Sequence, residues 1–144
     1  MYEDVINNGL EYLKELFREY LPELVEDTKE QIRKALPKIK KEMVPTIKKF
    51  VRDLLKSQST SASVVETLTL QELIKIAKKN IVEGANGFAA LKTEKNKKVF
   101  VYLANCKDSE LLDESINKYV IIQANTLSKE VEDLFGDTDL IILQ

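Results

Sequence analysis

Few side chains in this sequence could do chemistry, and the most versatile type is missing. Among its 144 residues there is no histidine. That removes Ser/His and Cys/His nucleophile pairs and every metal site built on an imidazole. A single cysteine, Cys106, excludes an intrachain disulfide and a thiolate cluster. Lys107 beside it could lower the thiol pKa, but no base or second thiol accompanies the pair, so Cys106 reads as an inert residue at a strand end. Asp137 and Asp139 stand one residue apart, a spacing that can hold a cation. Their position just after Gly136 reads better as a turn into a strand. Gly84-Ala85-Asn86-Gly87 has the composition of a phosphate loop but lies after a helical pattern and before a strand pattern. Phosphate loops run in the opposite order, so this stretch reads as a helix stop and turn. Phe88, Phe100, Tyr102 and Tyr119 fall in apolar runs and read as core residues rather than base-stacking platforms. No catalytic constellation, metal or cofactor emerges, and the expectation is a protein that is not an enzyme.

The lysines are more organised. Residues 36–43, LPKIKKEM, and 44–51, VPTIKKFV, repeat one pattern with the pairs Lys40-Lys41 and Lys48-Lys49 in register. Eight residues is slightly over two helical turns, so Lys38, Lys40, Lys41, Lys48, Lys49 and Arg52 gather on one side of a helix. Such a face is most simply solvated or salt-bridged. It would also suit an anionic membrane surface or nucleic-acid phosphates. Scarce aromatics and a net charge of −2 make nucleic acid the poorest fit. The charge is unevenly spread: residues 1–28 carry net −6, residues 29–56 net +7 and residues 57–144 net −3. An acidic segment followed directly by a basic one suggests mutual neutralisation in a helical hairpin or between subunits.

Beneath the lysines runs an apolar stripe. Over residues 21–56, Leu24, Ile32, Leu36, Ile39, Met43, Ile47, Phe50 and Leu54 recur at steps that place them on one helical face. A stripe of this kind needs cover. Residues 2–20 form a preceding helix with Val5, Ile6, Leu10, Leu13, Leu16, Phe17 and Tyr20 at helical spacing. Gly9 weakens it by about 1 kcal/mol relative to Ala, so its first turn is expected to fray. Pro37 and Pro45 should break or bend the arm, since an interior proline costs about 3 kcal/mol.

Residues 57–63, SQSTSAS, are small, polar and aperiodic, and read as a linker between a helical arm (1–56) and a small α+β module (64–144). In the module, Thr69 and Glu72 form a capping box that opens a helix, with Leu70, Leu73, Ile74, Ala77 and Ile81 inward. Strands follow at 88–93, 99–105 and 119–125, the last two separated by a polar stretch with a turn of helix at 109–114. A helix at 127–135 stops at Gly136, and a last strand covers 139–144. The fold class is therefore α+β: Pro-punctuated amphipathic N-terminal helices, then an α-β-β-β-α-β module with a mostly antiparallel or mixed sheet. The apolar runs 120–122 and 140–143 predict strands covered on both faces, with the two module helices on one side and the arm as the obvious cover for the other.

The order α-β-β-β-α-β resembles the core order of restriction-endonuclease-like nucleases. That likeness implies an acid on the first helix, where Glu72 and Glu83 stand, an Asp on the second strand and an acid-x-Lys on the third, around magnesium. The second strand offers only Asn105 and the third Gln123-Ala124-Asn125, so the resemblance implies a degenerate nucleic-acid binder rather than a nuclease. The leading reading is an interaction or assembly protein whose amphipathic arm binds a protein partner or drives homo-oligomerisation. Binding to an anionic membrane surface through the basic face is the alternative. No run reaches the roughly 18 apolar residues of a membrane span and the N-terminus lacks a signal-peptide layout. A cytoplasmic location is expected, peripheral to a membrane under the alternative.

Overall fold

The computed structural model describes residues 2–18, 33, 36, 38–57, 59–95 and 97–143. Its elements are α1 (Tyr2–Phe17), a 3-10 turn (Lys41–Met43), α2 (Val44–Lys56), β1 (Thr60–Leu68), α3 (Leu70–Lys79), β2 (Gly87–Lys95), β3 (Lys98–Lys107), β4 (Glu110–Leu111), β5 (Tyr119–Leu127), α4 (Lys129–Phe135) and β6 (Leu140–Leu143). The fold is α+β around one mixed sheet in the order β1-β5-β3-β2-β6, with short β4 paired to the end of β3. β1 runs parallel to β5, and the other pairs are antiparallel.

Central strand β3 explains the layering. All eight residues between its exposed ends are buried, which requires cover on both faces. Phe100, Tyr102, Ala104 and Cys106 point to one side. There they pack with Val5, Leu13 and Phe17 of α1 and with Ile47, Phe50 and Leu54 of α2. Val99, Val101 and Leu103 point to the other and meet Leu73, Ile76 and Ala77 of α3 and Val131 and Phe135 of α4. The strand period of two thus divides one sequence between two cores. The arm supplies one cover and the module's own helices the other.

Local signals account for the helix ends. Thr69 Oγ1 accepts from the Glu72 N–H at 3.1 Å, and Ser128 Oγ accepts from the Val131 N–H at 3.3 Å. Each removes one of the orphan donors at a helix start. Gly136 ends α4 at φ 58 and Gly84 turns the chain after α3 at φ 91, a backbone region that costs glycine little. Pro45 lies in the first turn of α2, just after the 3-10 turn, so the chain does break near Pro45 as expected. Pro37 lies outside the described residues.

Gly9 has a different role from the expected weak point. Tyr102 Oη donates to Gly9 O at 2.9 Å, across the interface between α1 and the sheet. A Cβ at Gly9 would meet Ile121 Cγ2 at 2.7 Å. The missing side chain lets the helix approach β5 closely.

Three local expectations are corrected. Residues 60–63, read as part of a linker, are the first half of β1. This edge strand has little apolar alternation to betray it, because both its faces are partly open. The stretch 109–114 holds strand β4 in place of a turn of helix. Asp108 and Ser109 have positive φ and fold the chain straight back onto β3. The helix opened by Thr69 ends at Lys79, so Ile81 lies beyond it, and neither Ile74 on α3 nor Ile81 faces inward: they are 41% and 46% exposed, and Ile76 is buried in their place.

Candidate functional site: an apolar groove and a lysine-lined cleft

The apolar stripe is largely consumed by the fold. Leu36, Ile39, Ile47, Phe50 and Leu54 are buried, and Met43 is half-buried against the same core. Leu24 and Ile32 lie outside the described residues. Burial of a large aliphatic or aromatic side chain is worth about 1.5–3 kcal/mol, so these contacts hold α2 on the sheet and leave no free stripe over 36–54.

The basic face divides. Asp53, buried on α2, receives Lys49 Nζ at 2.8 Å and lies 3.7 Å from Arg52 Nε. These two cations serve an internal carboxylate, an arrangement that limits the penalty of burying it. Lys40 and Lys41 are exposed and Lys48 is half-buried, with no ion pair among the described residues. Lys38 turns away to the open end of the sheet, where it lines two hollows.

The positions a nuclease would need do a structural job. Asn105 donates from Nδ2 to Asn80 O and Lys118 O, both at 3.2 Å, and its Oδ1 accepts from the Val82 N–H at 3.1 Å. Its own backbone N–H donates to Asn117 Oδ1 at 2.8 Å, and Asn117 Nδ2 returns a bond to Asn105 O at 3.1 Å. The two side chains tie the loops at one end of the sheet and are satisfied there. Asn125 donates to Glu66 across the β1–β5 pair. Among the described residues, no group of three Cys, Asp or Glu side chains gathers as metal ligands would. Cys106 is fully buried, and burial pushes its thiol up to about 11, partly opposed by a bond from the Ala89 backbone and by the charge of Lys49. A reactive thiolate needs the opposite shift.

Two surface features stand out instead. The first is an apolar groove of about 550 Å³ between α3, α4 and the ends of β2 and β6. Leu70, Ile74, Ile81, Phe88, Leu134 and Leu143 line it. The helices flanking it differ in charge: α3 exposes Lys75, Lys78 and Lys79, of which Lys78 lines the groove, whereas α4 and the turn after it expose Glu130, Asp133 and Asp137 beside a single cation, Lys129. Among the described residues β6 pairs with β2 and with no second strand. The sequence did hold a signal for this: α3 carries more apolar positions than one helical face can bury.

The second is a cleft of about 450 Å³ formed by the β2–β3 hairpin, the end of β5 and the end of α4. Lys38, Lys92, Lys97 and Lys98 line it, with Asn125 and Thr126. Beside it is a smaller hollow of about 200 Å³ bounded by Tyr12, Thr93 and Asp139 and shared by Lys38 and Lys92. Burial raises the Asp139 carboxyl above its ordinary pKa, with Lys92 and Lys38 opposing the shift. Lys92, Lys97 and Lys98 belong to stretches that read in sequence only as strand and polar turn.

Comparison with known proteins finds no matching family model, no matching curated protein and no matching solved structure. Among the described residues, no helix is long and apolar enough to cross a membrane.

Proposed function

We propose that this chain is a non-enzymatic interaction and assembly protein, and that it acts by self-association through the groove between α3 and α4. The observation that carries the reading is an open apolar groove with Ile74 and Ile81 nearly half exposed at its lip. Large aliphatic side chains clustered on a concave surface gain free energy when a protein partner covers them. The amphipathic arm contributes indirectly: by covering the opposite face of the sheet it holds the groove in shape.

Charge favours a second copy as the occupant. A two-fold axis running along the groove sets the Lys75-Lys78-Lys79 rim of one protomer against the Glu130-Asp133-Asp137 rim of its partner, and the reverse. Such an interface is isologous and self-complementary. A standard interface buries roughly 800 Å² per partner, so the flanks of both helices take part as well as the groove.

The test is the solution mass of the full chain by light scattering after size exclusion. Twice the 16.5 kDa chain mass is expected for the native sequence and 16.5 kDa for Ile74→Glu/Ile81→Glu, with an unchanged far-ultraviolet spectrum. Lys78→Glu should weaken the dimer, and Asp133→Lys added to it should restore association. A native chain that stays monomeric at about 100 μM, well above typical working Kd values for stable dimers, would refute the reading.

A further inference from the structure

The geometry points to a binding site for a small multivalent oxyanion, phosphate-bearing, in the lysine-lined cleft. None of its lining residues belongs to the groove, so it stands independently of self-association. Four ammonium groups, Lys38, Lys92, Lys97 and Lys98, share the cleft with two carboxylates, Glu94 and Glu132, a formal excess of two positive charges that falls to one when Asp139 of the adjoining hollow is counted. Among the described residues none of these six groups forms an ion pair.

Lys92 distinguishes the cleft from a patch of surface lysines. It is only 8% exposed, with its Nζ 5.3 Å from the centre of the Phe135 ring. The stem is packed in the protein, and the cation is held where the cleft meets the smaller hollow. Lys92 forms no direct ion pair, and the Asp139 carboxyl of the adjoining hollow, shared with Lys38, acts on it only at longer range; an ammonium buried with so little compensation is costly. An aromatic face offsets part of that cost, and a bound anion would offset the rest.

Shape selects the ligand class. The volume matches a small molecule. Lys92 sits too deep for a flat bilayer surface to reach. The lysines converge on one concavity instead of tracking a groove, as a polymer backbone would require. Lysine is a compact point charge suited to phosphate groups, and Asn125 and Thr126 add hydrogen-bonding capacity. The phosphate could be free or carried by a small metabolite, and the experiment separates these sources.

The test is calorimetric titration of the full chain at low, matched ionic strength with inorganic phosphate, inorganic pyrophosphate and ADP. One saturable site is expected, with pyrophosphate tighter than phosphate. Lys38→Gln/Lys98→Gln should weaken binding at least tenfold. Lys40→Gln/Lys41→Gln removes the same charge outside the cleft and should change it less than twofold. Both pairs are exposed, so neither variant threatens folding, and circular dichroism melts check this. ADP tighter than pyrophosphate assigns the site to a phosphorylated metabolite, and equal or weaker ADP assigns it to the free anion. No saturable binding of any of the three up to about 10 mM, tenfold above the roughly 1 mM Kd of a weak site, or equal weakening in the two variants, overturns the proposal.

Discussion

Replacing Phe50 by alanine separates a stripe that builds the fold from a stripe that docks on a partner. Phe50 has no exposed surface, and its ring lies 6.4 Å from that of Tyr119 at a tilt of 55°. Truncating a fully buried phenylalanine costs about 3–5 kcal/mol, combining lost transfer energy with the cavity left behind. Each kcal/mol moves the melting temperature of a chain this size by about 2–4 °C, so a fall of roughly 6–20 °C is expected. Native stabilities are about 5–15 kcal/mol, so the variant stays folded near room temperature if the starting value is not at the lower limit. Ile47→Val, at about 0.5–1.5 kcal/mol, is the gentler companion. Urea unfolding followed by circular dichroism at matched protein concentration gives the loss directly, and light scattering on the same samples gives the mass. The expected result is a large shift in midpoint with an unchanged native mass. A midpoint moved by less than about 1 kcal/mol equivalent, together with a change in mass, would refute the packing described for α2 and return the stripe to a partner-binding role.

Two further predictions follow from the same core. Gly9→Ala should gain about 1 kcal/mol in helix propensity and lose about 1–3 kcal/mol to overpacking against Ile121, a net loss near 1 kcal/mol. A variant with a raised melting temperature would mean that α1 does not approach β5 as closely as the 2.7 Å contact implies. Stability should also fall at alkaline pH. The Cys106 thiol is raised from 9.0 to about 11 by burial, and burial raises the Tyr102 and Tyr119 hydroxyls as well. The folded state holds these protons more tightly than the unfolded chain. Their contribution is complete below about pH 9 and is lost as pH rises towards 11, with Cys106 alone accounting for roughly 2–3 kcal/mol. Urea midpoints that stay flat between pH 8 and 10.5, or a native thiol that reacts with a disulfide reagent as fast as the unfolded one, would contradict this.

Much of the architecture was legible because it rests on short-range physics. The capped starts of α3 and α4, the stop at Gly136 and the apolar runs of β3 and β5 are set by neighbours in sequence. So was the inference that a strand apolar at consecutive positions needs cover on both faces, which the arm provides here. β1 was not legible. Its partner β5 begins 59 residues later, with Thr60 opposite Tyr119, and an edge strand half open on both faces shows no alternation. The groove and the cleft were hidden for a related reason. Ile74 and Ile81 look like core until α4 proves too short to cover them. The four lysines of the cleft come from the arm, β2, the hairpin turn and the start of β3, which only the folded sheet brings together.

The sequence by itself determined the helices and the strands β2, β3, β5 and β6 (but not β1 or β4), which residue types could never assemble a histidine-based or thiolate site, and that an apolar arm must be buried somewhere. Those outcomes follow from periodicity, capping and composition, which act over a few residues at a time. Only the tertiary structure decided where the arm went, that Lys49 and Arg52 serve Asp53, and that an apolar groove and a cationic cleft remain at the surface. These depend on strand register and on how far each helix reaches across the sheet, and both are set by long-range packing that no local pattern encodes.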